Sequence, residues 1–158
     1  MVREMGTAAV YFDALVLASL GRAREAVQLL EGRERDGRSP AIRDFVASLR
    51  ALLEGKPQES REATERSLAH FRDPEGRYYL ARQLARLGDH DRALQELRTI
   101  VDEGFYCPQA LAGDAWLDPL RSSPDFAAIL ERAKDGRRQA AARFIAGGGE
   151  ALLGVRPA

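Results

Sequence analysis

One cysteine, two histidines, one tryptophan and two lysines stand among 158 residues, and each scarcity narrows the reading. Cys107 alone cannot form an internal disulfide or a multi-cysteine zinc site, and a single thiol fits a reducing cytosol. Lys56 and Lys134 are outnumbered by 22 arginines, a bias that fits GC-rich codon usage. Charge of one sign is also missing. The 24 basic and 24 acidic residues cancel, so no global field draws the chain to nucleic acid or an anionic membrane. No apolar run is long enough to cross a bilayer, and the stretch after Met1, AAVYFDALVLASLG, lacks a small-residue cleavage site and carries Asp13. These features read as an unexported, cytoplasmic protein. With 45% hydrophobic and 30% charged residues, the composition is that of one ordinary globular domain and not of a disordered chain.

The most informative stretch is Tyr78 to Glu103, YYLARQLARLGDHDRALQELRTIVDE. Leu80, Leu84 and Leu87 recur at helical spacing before Gly88; Ala93, Leu94, Leu97, Ile100 and Val101 recur after it. This predicts two helices joined at a glycine that accepts the left-handed conformation, with Asp89 or Asp91 capping the second. Earlier in the chain the pattern predicts helices over Val10 to Leu20, Arg22 to Glu31, Ala41 to Leu53 and Gln58 to Phe71, with the polar stretch 32–39, GRERDGRS, as a connector before Pro40. The turn glycines Gly21, Gly55 and Gly88 are 34 and 33 residues apart, a period typical of stacked helical hairpins. Seven residues before each turn stand Ala14, Ser48 and Ala81; five after it stand Ala26, Ser60 and Ala93. Two helices approach closely only where side chains are short, so these six positions imply one crossing used three times. Leu30 and Leu97 follow as large residues, with Thr64 as the exception.

Beyond Glu103 the period changes. The sequence predicts a short helix near Pro108 to Ala112, a turn anchored by Trp116 and Leu117, and, after an N-cap at Ser123, a long helix with Phe126, Ile129, Leu130, Ala133, Ala140 and Phe144 on one face. That helix, ending at Gly147 to Gly149, would cap the last hairpin.

The small-residue pattern resembles the tetratricopeptide repeat, a thirty-four-residue helical hairpin, although the family's tryptophan and tyrosine in the first helix are absent. The resemblance implies an all-α, right-handed solenoid of antiparallel hairpins in one domain: repeat 1 over 7–38, repeat 2 over 40–72, repeat 3 over 74–106, an atypical repeat and capping helix over 107–146, and a tail over 147–158. The strings AWLDPLRSSPDFAAIL and GGGEALLGV resemble the end of such modules at the C-terminus of larger bacterial signalling proteins, behind kinase, cyclase or winged-helix domains. By that resemblance the chain is a docking or sensor arm excised from a longer protein.

For catalysis the sequence offers little. His70 and His90 fall near helix ends, where a solvated or dipole-stabilised histidine is the plain reading. Cys107 beside Pro108 reads as a small buried hydrophobe, and Asp114 and Asp118 as turn openers more readily than as a metal pair. Gly147 to Gly149 lacks the Lys-Ser/Thr of a phosphate loop. No enzyme, cofactor or metal is expected. Arg33, Arg35 and Arg38 are interleaved with Glu31, Glu34 and Asp36 and read as a solvated connector, not a nucleic-acid surface. The groove of first helices is the best candidate site. Ten residues before the three turns stand Tyr11, Phe45 and Tyr78, either packed as core between first helices or exposed as a ladder to a ligand. Arg82 and Arg86 lie on the face of Tyr78 and would hold an acidic or C-terminal group. The expectation is a protein- or peptide-binding scaffold or self-association module, with no nucleic acid and no membrane partner. The alternative is a regulatory domain taking a small ligand or acidic peptide in the groove.

Overall fold

The computed structural model describes residues 7–36 and 39–154, which form an all-α protein without a strand among them. Helices α1 (Thr7–Ser19) and α2 (Ala23–Asp36) make the first hairpin, α3 (Pro40–Leu53) and α4 (Pro57–His70) the second, and α5 (Pro74–Arg86) and α6 (His90–Asp102) the third. Each hairpin packs internally, and α2 packs on α3 and α4 on α5, so the order along the chain is the order in space.

The hairpin turns are built alike because one steric device closes them all. Gly21, Gly55 and Gly88 have φ of 76°, 71° and 84°. Past each, the same two amides bond back into the preceding helix: Gly21 to Ala18 and Arg22 to Leu17, Gly55 to Leu52 and Lys56 to Ala51, Gly88 to Ala85 and Asp89 to Leu84. This is the Schellman arrangement, which satisfies the last carbonyls of a helix and needs a left-handed residue. The six small residues are all fully buried. In the middle hairpin serines replace alanines without loss, because the Ser60 hydroxyl donates to the Ser48 carbonyl across the crossing at 2.7 Å and Ser48 donates to Phe45 at 2.7 Å. Thr64 is likewise buried and bonds the Ser60 carbonyl at 2.8 Å, so the departures at these positions are satisfied polar contacts.

Several expectations need correction. The connector predicted over 32–39 is helical as far as Asp36: Arg33 and Arg35 sit in the last turn of α2, where cations suit the helix dipole, and Glu34 pairs with Arg50 of α3 at 2.8 Å. Arg38 lies outside the described residues. Asp89 occupies the N-cap position of α6 without a side-chain cap bond, its carboxylate being engaged by Arg61 of α4. Ser123 likewise precedes its helix without a side-chain cap bond.

After α6 the chain makes a short helix α7 (Pro108–Gly113), a 3-10 helix (Ala115–Leu120), the long α8 (Pro124–Ala146) and a four-residue α9 (Gly149–Leu152) within the stretch expected to be a tail. The first half of α8 covers α6 and α7 through buried Phe126, Ile129 and Ala133, with Leu130 half-buried. Ala140 and Phe144 are exposed, so the apolar face continues past the last element α8 can cover, and α9 instead folds back against the Phe144 ring through Gly149. Cys107 is exposed and not buried, since α7 turns Pro108 and Leu111 to the core and leaves the residue before it outside.

Candidate functional site

Side chains from α1, α3 and α5 meet on one face, and the aromatic residues concentrate there. Tyr11, Phe45 and Tyr78 take the core alternative. Tyr11 stacks on Phe45 at 4.6 Å between centroids, and Tyr78 stacks on Phe105 at 5.1 Å. All three are buried, so they form no exposed ladder along this face. Burial pushes the Tyr11 hydroxyl up to about 12, and Tyr78 is raised by burial and by its bond to Asp114. Both stay neutral and act as structural hydroxyls.

The residues one position further on do what these three do not. A step of one residue turns the side chain about 100° around the helix, and Phe12 and Tyr79 accordingly reach the surface. They pack edge-on at 5.2 Å, Tyr79 half-buried and Phe12 39% exposed. With Tyr11, Ile42, Phe45 and Phe71 they wall an open, largely apolar pocket of about 250 Å³ whose remaining lining is Asp73, Glu75 and Gly76. Asp73 caps α5, its Oδ2 accepting from the Gly76 amide at 2.7 Å; Glu75 Oε1 accepts from the Tyr79 hydroxyl at 3.0 Å. Desolvation and that carboxylate push Tyr79 up to about 12. Phe71 lies so flat on Gly76 that a Cβ there would come within 2.5 Å of its ring. Outward from the pocket, Phe12 and Val16 of α1 and Leu20 just past its end follow at one-turn intervals, all exposed.

Beside the pocket is a polar cluster that the 3-10 helix completes. Asp114 accepts the Trp116 amide on Oδ1 at 2.9 Å and the Tyr78 hydroxyl on Oδ2 at 2.7 Å, and Arg82 Nη1 forms an ion pair with Oδ2 at 3.1 Å. The Arg82 guanidinium lies 4.5 Å from the Trp116 ring centroid and 5.5 Å from that of Tyr79. Arg82 is thus ion-paired and set over two rings, with its buried Nε left without a hydrogen-bond acceptor among the described residues. Gln83 is fully buried; its Nε2 donates to the Tyr11 hydroxyl at 3.1 Å while Oε1 has no partner. Arg86, one turn on from Arg82, is exposed and outside this cluster. Asp118 pairs with Arg121 at 2.6 Å and takes no part in it.

Of the expected site residues, then, Tyr11 and Phe45 form the base of the pocket, Tyr78 and Arg82 belong to the Asp114 cluster, and Arg86 joins neither. Phe12, Phe71, Tyr79, Gln83, Asp114 and Trp116 were not assigned to the site from sequence. A larger cleft of about 690 Å³ lies between α2, α3 and α4, but its floor is Ala47, Ala51 and Ala63 and charged residues wall it. Several of these are already paired: Arg50 with Glu34 and Glu54, Arg66 with Asp44. His70, His90 and Cys107 are each exposed at the edge of a different helix. Among the described residues no group of three His, Cys, Asp or Glu is placed to hold a metal ion, and no helix is long and apolar enough to cross a membrane. No family model matches the chain, and no curated protein matches it either.

Proposed function

We propose that the chain is a non-catalytic protein-interaction module of the tetratricopeptide type, which takes a segment of a partner protein, or of a second copy, on the face formed by α1, α3 and α5. One observation carries the proposal: an aromatic-walled pocket opens on that face and runs into the exposed stripe Phe12, Val16 and Leu20. Isolated exposed apolar residues are ordinary on a protein surface, whereas a continuous strip leading from a concavity is a mark of recognition sites. Helical faces of this kind are read by short anchors, a few side chains entering pockets while the rest of the segment excludes water. The repeated glycine turns and small crossing residues support the tetratricopeptide assignment. The C-terminal docking or sensor role in a larger bacterial signalling protein rests on the resemblance of the final segments. The alternative, an acidic ligand held by Arg82 and Arg86, has less support, since the Arg82 charge is already answered by Asp114.

The test is a selection of random displayed peptides on the immobilised protein. Peptides should enrich whose affinity drops about tenfold or more with Phe12→Ala or Tyr79→Ala, as for anchor pockets generally, and is unchanged by Glu62→Ala in the larger cleft. Selected peptides that bind the first two variants as well as the unaltered protein would move the interface elsewhere.

A further inference from the structure

The proposed docking face becomes specific in the chemistry of its pocket, and the following inference rests on that reading. We propose that the pocket receives one cationic side chain, a lysine or arginine of the bound segment, with its stem against the rings and its head at Asp73 and Glu75.

Three observations converge. The walls are the rings of Tyr11, Phe12, Phe45, Phe71 and Tyr79 with Ile42, and tyrosine hydroxyls aside, the only ionisable groups lining the pocket are the two carboxylates. Aromatic faces carry negative quadrupole density and attract a cation set against them, while apolar walls suit the methylene stem of a long basic side chain. Secondly, most acidic side chains of the described residues are ion-paired, and neither Asp73 nor Glu75 is. Capping α5 and holding Tyr79 engage one oxygen of each, Asp73 Oδ2 and Glu75 Oε1. The first-turn position accounts for acidic residues here through the helix dipole, but not for their lining an aromatic pocket. Thirdly, about 250 Å³ is below the roughly 300–1,000 Å³ of sites for drug-sized ligands and suits a single side chain. An apolar group would strip water from the carboxylates without replacing it, and an acidic one would be repelled.

The experiment titrates the isotopically labelled full chain with acetylated, amidated pentapeptides of glycine carrying lysine, arginine, norleucine or glutamate at the centre, following the backbone amides of Phe71, Gly76 and Tyr79 by NMR. Lysine and arginine peptides should shift these amides saturably and bind about tenfold more tightly than norleucine, the scale of a desolvated cation–aromatic contact; glutamate should not bind. Asp73→Asn and Glu75→Gln each keep the internal hydrogen bond and together should bring lysine binding down to the norleucine level, while the lost helix-dipole charges lower the melting temperature by only about 1–6 °C, leaving the protein folded at the temperature of the titration. Norleucine binding as tightly as lysine, or lysine binding unchanged in that double variant, would make this an ordinary apolar pocket and overturn the inference, while leaving the docking face to the peptide selection above. No saturable shift with any of the four peptides would also overturn it. Loss of Phe12-dependent peptides in the selection as well would sink both.

Discussion

Replacing Asp114 by alanine should be the most damaging change at the candidate site, because one carboxylate joins three groups from two elements. The substitution removes the cap of the 3-10 helix, where Oδ1 accepts the Trp116 amide at 2.9 Å; losing such a cap costs about 1 kcal/mol. It also takes the partner from Arg82, whose side chain is 13% exposed, and breaking a buried pair costs about 3–5 kcal/mol when desolvation is complete. The Tyr78 hydroxyl is cushioned, since the Ala110 carbonyl lies 3.3 Å away and can accept in its place. Discounting the ion pair for its residual exposure gives a total of about 3–4 kcal/mol, and at about 2–4 °C per kcal/mol for a chain of this size the Tm should fall by about 6–16 °C. The assay is thermal unfolding followed by circular dichroism, with Trp116 fluorescence reporting on the 3-10 helix; Asp118→Ala, which removes an exposed pair with Arg121, is the control and should change stability by no more than about 0.5 kcal/mol. Asp114→Asn retains a capping oxygen and loses the charge, so its loss measures the ion pair, and a double-mutant cycle with Arg82→Met should return a coupling of about 1–3 kcal/mol. Equal melting of Asp114→Ala and Asp118→Ala would refute the account of the cluster.

Two other expectations concern the frame that holds it. Ala93→Leu, at a fully buried crossing, should destabilise by about 1–3 kcal/mol through overpacking, whereas Ala69→Leu on the exposed side of α4 should stay within about 0.5 kcal/mol; equal shifts in Tm would mean that the crossing is not close-packed. Tyr11 is neutral in the fold up to about pH 12 but ionises near 10 when unfolded, so the unfolded chain binds fewer protons between those values and stability falls as pH rises through them. At about 1.4 kcal/mol per pH unit, Tyr11 contributes of order 3 kcal/mol that is present below pH 10 and lost by about pH 12. Denaturant unfolding across that range, compared with Tyr11→Phe, checks it; an identical pH dependence in the variant would remove Tyr11 as the source.

The parts of the fold legible in the sequence are those governed by a local steric rule. Gly21, Gly55 and Gly88 can be read because a left-handed residue is needed at each turn, and Ala14, Ala26, Ala81 and Ala93 because only short side chains fit a crossing. The extent of α2 is not legible in this way: GRERDG looks like a loop until Arg50, sixteen residues on, is known to meet Glu34. The aromatic register shows the same limit. Spacing from the turns puts Tyr11, Phe45 and Tyr78 in corresponding places, but whether a ring is covered depends on neighbours in other hairpins, and these three are covered by one another's surroundings. Phe12 and Tyr79 gave no periodic signal because the corresponding residue in the middle hairpin is Val46, which is fully buried. Cys107 was misplaced for the converse reason, since a small apolar residue beside a proline carries no information about which side of a six-residue helix faces the core.

The polar cluster exists because the repeat stops. Had a fourth hairpin followed α6, a first helix would lie where α7 and the 3-10 helix now pack, and the interface would be another crossing of small residues. Instead Asp114 interrupts the helix after Gly113, and the tighter turn that it caps brings Trp116 across to α5. That places a ring over Arg82 and a carboxylate beside it, so the last regular hairpin is closed by a charge and two aromatic faces and not by alanines. The pocket that Tyr79 lines is affected as well: with its guanidinium engaged by Asp114, Arg82 leaves Asp73 and Glu75 as the unpaired charges of the lining. The cationic preference proposed for the pocket therefore depends on the irregular segment that ends the solenoid, and Asp114→Asn should weaken lysine-peptide binding there by freeing a competing arginine, even though Asp114 itself does not line the pocket.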